Sequence, residues 1–201
     1  MNPLTSIFSL FKKTANEPSE ADQQWLDSYN AFQKGEQFFV KGQLQAALDC
    51  FDAAIERGFE EGGIYGSRGS CLQSLEFHLD AIDDFDRAIA VESEDSNLLY
   101  MRSISRGATG DLHGRISDLH EAIRLASAEN ASNSAYNAFA KDKGFEDGVI
   151  GMYRSDLLHA NLDLEQQATD EKLRRECPGL NLGPDLISRR RADLRRRPEH
   201  E

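Results

Sequence analysis

Small and apolar residues recur at three- and four-residue steps along much of the chain, which is the spacing of one face of an α-helix. The clearest such stripe comprises Ala81, Ile82, Phe85, Ala88 and Ile89. Aspartates stand between its members, and these are Asp80, Asp83, Asp84 and Asp86. Because these carboxylates alternate with an apolar stripe and do not lie on a tight loop, we interpret them as a solvated helix face rather than a calcium site. The pattern predicts an all-α chain.

This helical pattern repeats with a fixed period. Three segments of 34 residues align without a gap, and they are residues 28–61, 62–95 and 96–129. Their eighth position is small enough for two helices to touch, and it holds Gly35, Gly69 and Ser103. The twentieth position holds Ala47, Ala81 and Arg115, and the twenty-fourth holds Phe51, Phe85 and Leu119. Paired helices are therefore expected, with glycine at the turn in two segments (Gly42 and Gly110) and Glu76 in the other.

The 34-residue period and the fragments AIDDFDRAI and ISDLHEAI resemble the tetratricopeptide repeat (TPR) family. The pair Arg68-Gly69 also resembles a pair that is common in the first helix of bacterial repeats of this kind. The resemblance implies a right-handed TPR solenoid of three helix-turn-helix repeats with C-terminal capping helices. Repeat three has Arg106 and Arg115 at positions that the family often makes apolar or small, so we expect its packing to be looser or wetter.

The C-terminal end of the array is expected to carry a cap, because a terminal repeat cannot bury its outer face alone. Residues 130–177 predict a pair of capping helices, the first ending at Gly144 and the second running from Glu146 to Glu176. The second helix has one narrow apolar stripe, which comprises Ile150, Tyr153, Leu157, Ala160 and Leu164. Whether this pair is a degenerate fourth repeat stays open. Residues 178–201 form a basic tail with six arginines, which we interpret either as disordered or as a latch for an acidic surface.

Residues 1–27 are interpreted as a short amphipathic helix followed by a flexible linker, with the linker over residues 14–22. The apolar residues of the helix, Leu4, Ile7, Phe8 and Phe11, share one face. Such a segment can contact a membrane, fold into the groove of the protein itself or dock on a partner. A peripheral membrane assembly role would depend on this segment alone.

Composition and charge exclude several classes of function. The net charge of −12 argues against nucleic-acid binding, which requires clustered Lys and Arg. The three cysteines have no metal-type spacing, and their odd number argues against a disulfide framework. No apolar run approaches the roughly 20 residues of a membrane span, and the start of the sequence is not a secretory signal, so a cytoplasmic location is expected.

No pattern of catalytic or cofactor-binding residues is present in the sequence. The five histidines lack the spacing of zinc ligands on one helix face, and no glycine-rich phosphate loop occurs. Cys71 shares a predicted inner helix face with Gly69, which indicates an inert buried thiol. We therefore expect no enzyme activity, no metal and no cofactor.

The family resemblance places a partner-binding groove on the first helix of each repeat. At the ligand-facing positions it implies Tyr29, Phe32, Glu36, Phe39, Ser70, Gln73, Asn97, Tyr100 and Ile104. Phe32, Phe39 and Tyr100 are expected to anchor the ligand and to have no role in the core. The Lys/Asn/Arg clamp of chaperone-binding TPR domains is absent, since the equivalent positions hold Phe32, Glu36, Gly66, Asn97 and Met101.

Two classes of protein-binding function remain. The first is an interaction scaffold or adaptor that binds a peptide or helix of another protein in the concave groove. The second is a small acidic holding chaperone of the kind that serves secretion. The sequence identifies neither the partner nor the oligomeric state.

Overall fold

The computed structural model describes residues 19–60, 63–128 and 135–178, and these residues form eight α-helices and no strand. In chain order the helices are α1 (Glu20–Val40), α2 (Leu44–Glu56), α3 (Ile64–Ser74), α4 (His78–Val91), α5 (Ser96–Thr109), α6 (Leu112–Ala128), α7 (Ala135–Asp142) and α8 (Val149–Glu176). The described residues fall into two units that divide between Ile64 and Tyr65. The all-α prediction is confirmed.

Helix α1 begins earlier than the repeat pattern predicts. Ser19 is its N-cap, since its hydroxyl accepts the N–H of Asp22 at 3.2 Å and the Asp22 carboxylate accepts the N–H of Ser19 at 3.0 Å. These bonds from Ser19 lower the pKa of Asp22. Residues 20–22, which we assigned to the linker, are therefore helical, because a capping box satisfies the first amides of the helix.

Close contact between paired helices depends on the glycine at the eighth position. A Cβ atom on Gly35 would lie 2.6 Å from the Phe51 ring, and one on Gly69 would lie 3.0 Å from the Phe85 ring. In both repeats the aromatic ring of the twenty-fourth residue therefore lies directly against the backbone of the preceding helix. The predicted role of the small residue is confirmed.

The predicted core positions on the second helix of each repeat are also confirmed. Eight of them have no exposed surface, and these are Ala47, Leu48, Phe51, Ala54, Ala81, Phe85, Leu119 and Ala122. Burial of this stripe supplies the hydrophobic contribution to the stability of each hairpin.

Two aspartates, Asp84 and Asp118, lie in the interior. The sequence pattern predicts a solvated position for Asp84 and makes no prediction for Asp118. Asp84 is buried and accepts two bonds from the Arg68 guanidinium, both at 2.7 Å. Asp118 takes the same position in the next repeat and accepts from Arg102 at 3.0 and 2.6 Å. The prediction of a solvated face is therefore wrong for Asp84, because an arginine at the seventh position of the repeat pairs with the aspartate at the twenty-third.

Two arginines of repeat three, Arg106 and Arg115, make ionic contacts at positions where repeats one and two have apolar or small side chains. Arg106 lies 2.9 Å from the Asp118 carboxylate, and Arg102 also contacts Asp86 of repeat two at 2.6 Å. Arg115 packs its stem against Gly107 and pairs with Asp163 of α8 at 3.2 Å. The unusual arginines thus contact specific carboxylates. That the packing of repeat three is looser or wetter stays a prediction.

An equivalent backbone hydrogen bond closes the turn in each of the three repeats. The N–H of residues 43, 77 and 111 donates to the carbonyl of residues 38, 72 and 106 respectively, at 2.9 Å in each case. Such a bond requires a left-handed residue at the helix end. Gly42 (φ 71°) and Gly110 (φ 83°) supply it in repeats one and three, whereas repeat two uses Glu76 at φ 65°.

Replacing Glu76 by glycine is expected to raise the free energy of unfolding by about 1 kcal/mol. The left-handed conformation costs an L-residue roughly 1–2 kcal/mol, and the larger entropy of glycine in the unfolded chain offsets only part of this gain. Glu92 is the matched control, since it also ends a helix but has φ −118°. Glu92→Gly should give no gain in a urea titration, and a loss of stability in Glu76→Gly would contradict the strain argument.

The C-terminal helices pack on repeat three. Their core combines residues of α5 and α6 with residues of α7 and α8, and its buried members are Leu99, Ala122, Leu125, Ala126, Ala140, Val149, Met152 and Tyr153. The Asn137 side chain accepts the N–H of Val149 at 3.1 Å and so joins α7 to the start of α8. On the predicted stripe, Tyr153 and Ala160 are buried and Ile150, Leu157 and Leu164 are half-buried.

Two predictions concern residues that the structure does not describe, namely the amphipathic segment at residues 3–13 and the arginine-rich tail at residues 180–201. None of the described helices combines the length and the apolar character that crossing a membrane requires.

Candidate protein-binding surface

Two aromatic residues of the predicted groove contribute to the packing of the first unit. Tyr29 is buried, and its ring stacks on Trp25 with a centroid distance of 5.3 Å. The Phe32 ring lies 5.2 Å from that of Phe59 and 6.0 Å from that of Phe51. The expectation that Phe32 has no core role is therefore wrong. Phe59, which follows α2 in the chain, is the residue that covers both rings.

The aromatic residue of repeat three is held by the C-terminal helix. The Tyr100 ring stacks on Tyr153 at a centroid distance of 4.5 Å, and its hydroxyl donates to the Asp156 carboxylate at 2.7 Å. Burial, together with this bond to Asp156, raises the pKa of Tyr100. The prediction that Tyr100 lacks a structural role is wrong, because α8 lies over the helix that carries it.

Two polar residues of the predicted groove form hydrogen bonds within the second unit. Gln73 donates from its amide to the carbonyl of Met101 and to the hydroxyl of Ser105, both at 2.7 Å, and so links α3 to α5. The Ser70 hydroxyl donates to the carbonyl of Gly66 at 2.9 Å. Gln73 therefore joins the first helices of repeats two and three.

Apolar side chains remain accessible at two groove positions. Ile104 is 37% exposed, and Phe39 is half-buried near the end of α1. Isolated exposed apolar residues are common on proteins, so their exposure alone does not define a site.

Two other groove residues bury an acceptor atom that no hydrogen bond satisfies. Among the described residues, Oε1 of Glu36 and Oδ1 of Asn97 are buried without a hydrogen-bond partner. A buried acceptor without a partner costs about 1–3 kcal/mol, and native structures contain few of them. Both residues occupy positions that the family resemblance makes ligand-facing, but each acceptor atom is buried, so neither marks a surface that a ligand reaches in this conformation.

The candidate chemistry of the remaining side chains is limited. His78 Nδ1 lies 3.4 Å from the Ser105 hydroxyl, but Ser105 is fully buried and already accepts from Gln73. Burial lowers the pKa of His78, which keeps the ring neutral over a wider pH range. Within the described ranges, no group of three His, Cys, Asp or Glu side chains is placed to hold a metal ion. Cys71 is buried, as the sequence predicts.

The residues that the sequence analysis missed are the arginine–aspartate pairs and the contacts of Phe59 and Tyr153. The sequence does carry a signal for the pairs, because Arg68 and Asp84 are separated by 16 residues, as are Arg102 and Asp118. Opposite charges that recur at equivalent positions of two repeats indicate a pair that joins the two helices of each repeat.

The helical arrangement matches that of solved TPR structures. The first TPR of Spaghetti (RPAP3), bound to the HSP90 peptide SRMEEVD, gives a TM-score of 0.55 at 16% identity and covers 70% of this chain and 94% of that chain. PcrH in complex with the chaperone binding region of PopD also gives 0.55 at 16% identity, covering 67% of this chain and 90% of that chain. PcrH from Pseudomonas aeruginosa gives 0.51 at 17% identity, covering 74% and 98%. The chain therefore has the TPR fold.

Two curated proteins are similar in sequence. Protein unc-45 homolog B of Danio rerio is 29% identical over 104 residues, which is 49% of this chain and 11% of that protein. Stress-induced-phosphoprotein 1 of Caenorhabditis elegans is 33% identical over 61 residues, which is 30% of this chain and 19% of that protein. The matches thus span a small part of both relatives. No protein-family model matches the chain.

Proposed function

We propose that this chain is an adaptor that binds a peptide or helix of another protein on the first helices of its repeats. The observation that carries the proposal is the TPR fold, since two solved structures of this fold contain a bound polypeptide segment. The partly accessible side chains of Phe39 and Ile104, at positions that the family resemblance makes ligand-facing, would supply apolar contacts to such a segment.

The charge of the surface selects the kind of segment that it would bind. The RPAP3 domain binds an acidic peptide, SRMEEVD. This chain has no cation at the positions equivalent to the carboxylate clamp and has Glu36 at one of them. Binding an acidic C-terminus there would bury carboxylates without a compensating charge. We therefore infer that the bound segment is neutral or basic, and that it is apolar on one side.

A holding chaperone is the second candidate function. PcrH, a protein with the same fold, is known in complex with the chaperone binding region of PopD. A chaperone and an adaptor would use the same surface but differ in what happens to the partner when it is released. The role that we infer in both cases is binding and not catalysis, in the cytoplasm.

Phe39→Ala is expected to weaken binding of the partner about tenfold or more, because loss of an aromatic anchor commonly costs at least 2 kcal/mol and 1.4 kcal/mol corresponds to tenfold. The partner is first captured on the full-length chain, identified by mass spectrometry and purified. Its affinity is then measured by calorimetry for Phe39→Ala and Asn97→Ala. Val40→Ala is the matched control, since Val40 is the neighbouring residue and is 85% exposed.

The melting temperature of each variant separates binding from folding. Weakened binding by Phe39→Ala with an unchanged melting temperature supports the proposed surface. Equal affinities for the wild type and both groove variants, or an equal loss in Val40→Ala, would place the partner elsewhere. Light scattering of the isolated partner then distinguishes the two candidates, because a holding chaperone suppresses its aggregation and an adaptor does not.

A further inference from the structure

A groove lies between α1 and α2 in the first unit, away from the ligand-facing positions. It has a volume of about 440 Å³. Its floor consists of small, half-buried side chains, Ala31, Cys50 and Ala53. Charged side chains of both signs border it, and these are Asp27, Lys34, Asp49 and Arg57. The groove therefore combines an apolar floor with a polar rim, which is the form of a surface that receives an amphipathic segment.

The position of the groove within the repeat indicates which way it faces. Lys34 and Cys50 are the seventh and twenty-third residues of repeat one, where repeats two and three have their arginine–aspartate pairs. In repeat three the arginine of this pair, Arg102, also contacts Asp86 of repeat two at 2.6 Å. The seventh position is thus directed toward the preceding repeat. By repeat equivalence, the groove is on the side of repeat one that faces the N-terminal part of the chain.

Repeat one differs from the others in chemistry at this place. Repeats two and three fill the position with a bidentate ion pair, Arg68–Asp84 and Arg102–Asp118. Cys50 cannot replace the aspartate, and Lys34 is directed over the Phe38 ring, with its ammonium 5.6 Å from the centroid. Repeat one therefore lacks the ion pair that fills this position in the other repeats, and has Lys34 and Cys50 there instead. Such a surface needs a cover, because the end of a repeat array must be capped.

Residues 1–18 are the part of the sequence that reaches this groove by chain length. They join α1 at Ser19, and the groove residues Asp27 to Lys34 lie about 12–22 Å along that helix at 1.5 Å per residue. Residues 14–18, fully extended, reach about 17 Å, which brings residue 13 past the Asp27 end of the groove. Leu4, Ile7, Phe8 and Phe11 share one face of a predicted helix, and Lys12 and Lys13 follow it. These lysines would pair with Asp27 and Asp49 on a rim that also carries Lys34 and Arg57, so the charges specify the position of the segment rather than a net attraction.

We propose that residues 3–13 dock on the α1–α2 groove, with Ile7 and Phe8 against Ala31, Cys50 and Ala53, and so cap the N-terminal end of the array. This contact is separate from the ligand-facing surface, and it does not depend on the proposed binding function. The cap stabilises the first hairpin and covers the Cys50 thiol.

Cys50 provides a native probe of the docked state. In the full-length chain, the double variant Ile7→Gln, Phe8→Gln should raise the rate of maleimide labelling at Cys50 about tenfold, as expected when a mostly docked segment is released. The matched control is Ser6→Gln, Ser9→Gln, which changes the opposite face of the same predicted helix and should leave the rate unchanged. Cys177 is exposed, and its rate should be the same in every variant.

A second measurement tests proximity directly. Phe8→Cys should form a disulfide with Cys50 on mild oxidation, identified by peptide mapping, whereas Ser6→Cys should not. Equal Cys50 labelling in all variants, or a crosslink of residue 8 to Cys177 instead of Cys50, would overturn the proposal. Binding of the wild type to phosphatidylcholine–phosphatidylglycerol vesicles that is lost in Ile7→Gln, Phe8→Gln, without a change in Cys50 labelling, would assign the segment to a membrane and would also overturn it.

Discussion

Asp118→Ala is expected to lower the free energy of unfolding by about 3–5 kcal/mol, the usual cost of removing one partner of a buried ion pair. The Asp118 side chain is 3% exposed and contacts both Arg102 and Arg106. The two arginine side chains are 15% and 21% exposed, so the substitution leaves two largely buried side chains without the carboxylate that they share. Equilibrium denaturation in urea measures the loss.

Asp86→Ala is the matched control for this experiment. Asp86 contacts the same Arg102 at 2.6 Å, but its side chain is 51% exposed. Exposed ion pairs contribute about 0–1 kcal/mol, so the control should cost no more than that. Similar losses in the two variants would show that burial of Asp118 does not determine its contribution, contrary to the interpretation given for the arginine–aspartate pairs.

Tyr153→Ala is also expected to cost about 3–5 kcal/mol, as for other large aromatic truncations in a core. Tyr153 is 1% exposed, packs in the cluster shared by α5, α6 and α8, and stacks on Tyr100. The substitution removes this ring and leaves a cavity under α8. Circular dichroism in urea titrations should report a lower unfolding midpoint.

The control for Tyr153 is another large residue on the same helix. Leu158 is 60% exposed, and Leu158→Ala should change the free energy of unfolding by less than about 0.5 kcal/mol. A loss below about 1 kcal/mol in Tyr153→Ala would show that α8 is peripheral to the stability of repeat three. In that case the contact between Tyr153 of α8 and Tyr100 would not support a core role for Tyr100.

The helical hairpins could be predicted from the sequence because their determinants recur every 34 residues. Gly35 and Gly69 are placed opposite Phe51 and Phe85 by the same register, and each contact is present in the structure. The left-handed residue at the turn also recurs, even where Glu76 replaces glycine. A local pattern with a fixed period therefore predicts the packing within a repeat.

The predicted groove was less predictable, because the aromatic rings that cover its residues do not recur at equivalent positions of the repeats. Tyr29 is covered by Trp25, which precedes repeat one, and by Phe59 near the end of repeat one, and Tyr100 is covered by Tyr153 of α8. Periodicity alone also cannot distinguish a solvated aspartate from a paired one. Asp83 is exposed and Asp84 is buried, although they are neighbours on the polar side of the predicted helix.

Arg102 has a consequence for how the second unit would unfold. Its guanidinium contacts Asp118 within its own repeat and Asp86 in the preceding one, so a single side chain contributes both to the internal stability of repeat three and to the interface between neighbours. In a linear array, cooperativity is set by the ratio of these two terms. Because Arg102 contributes to both the internal stability and the interface, its loss weakens two neighbouring repeats at once. Partially unfolded states in which one of these repeats is unfolded are therefore less populated than the stability of each separate hairpin would predict.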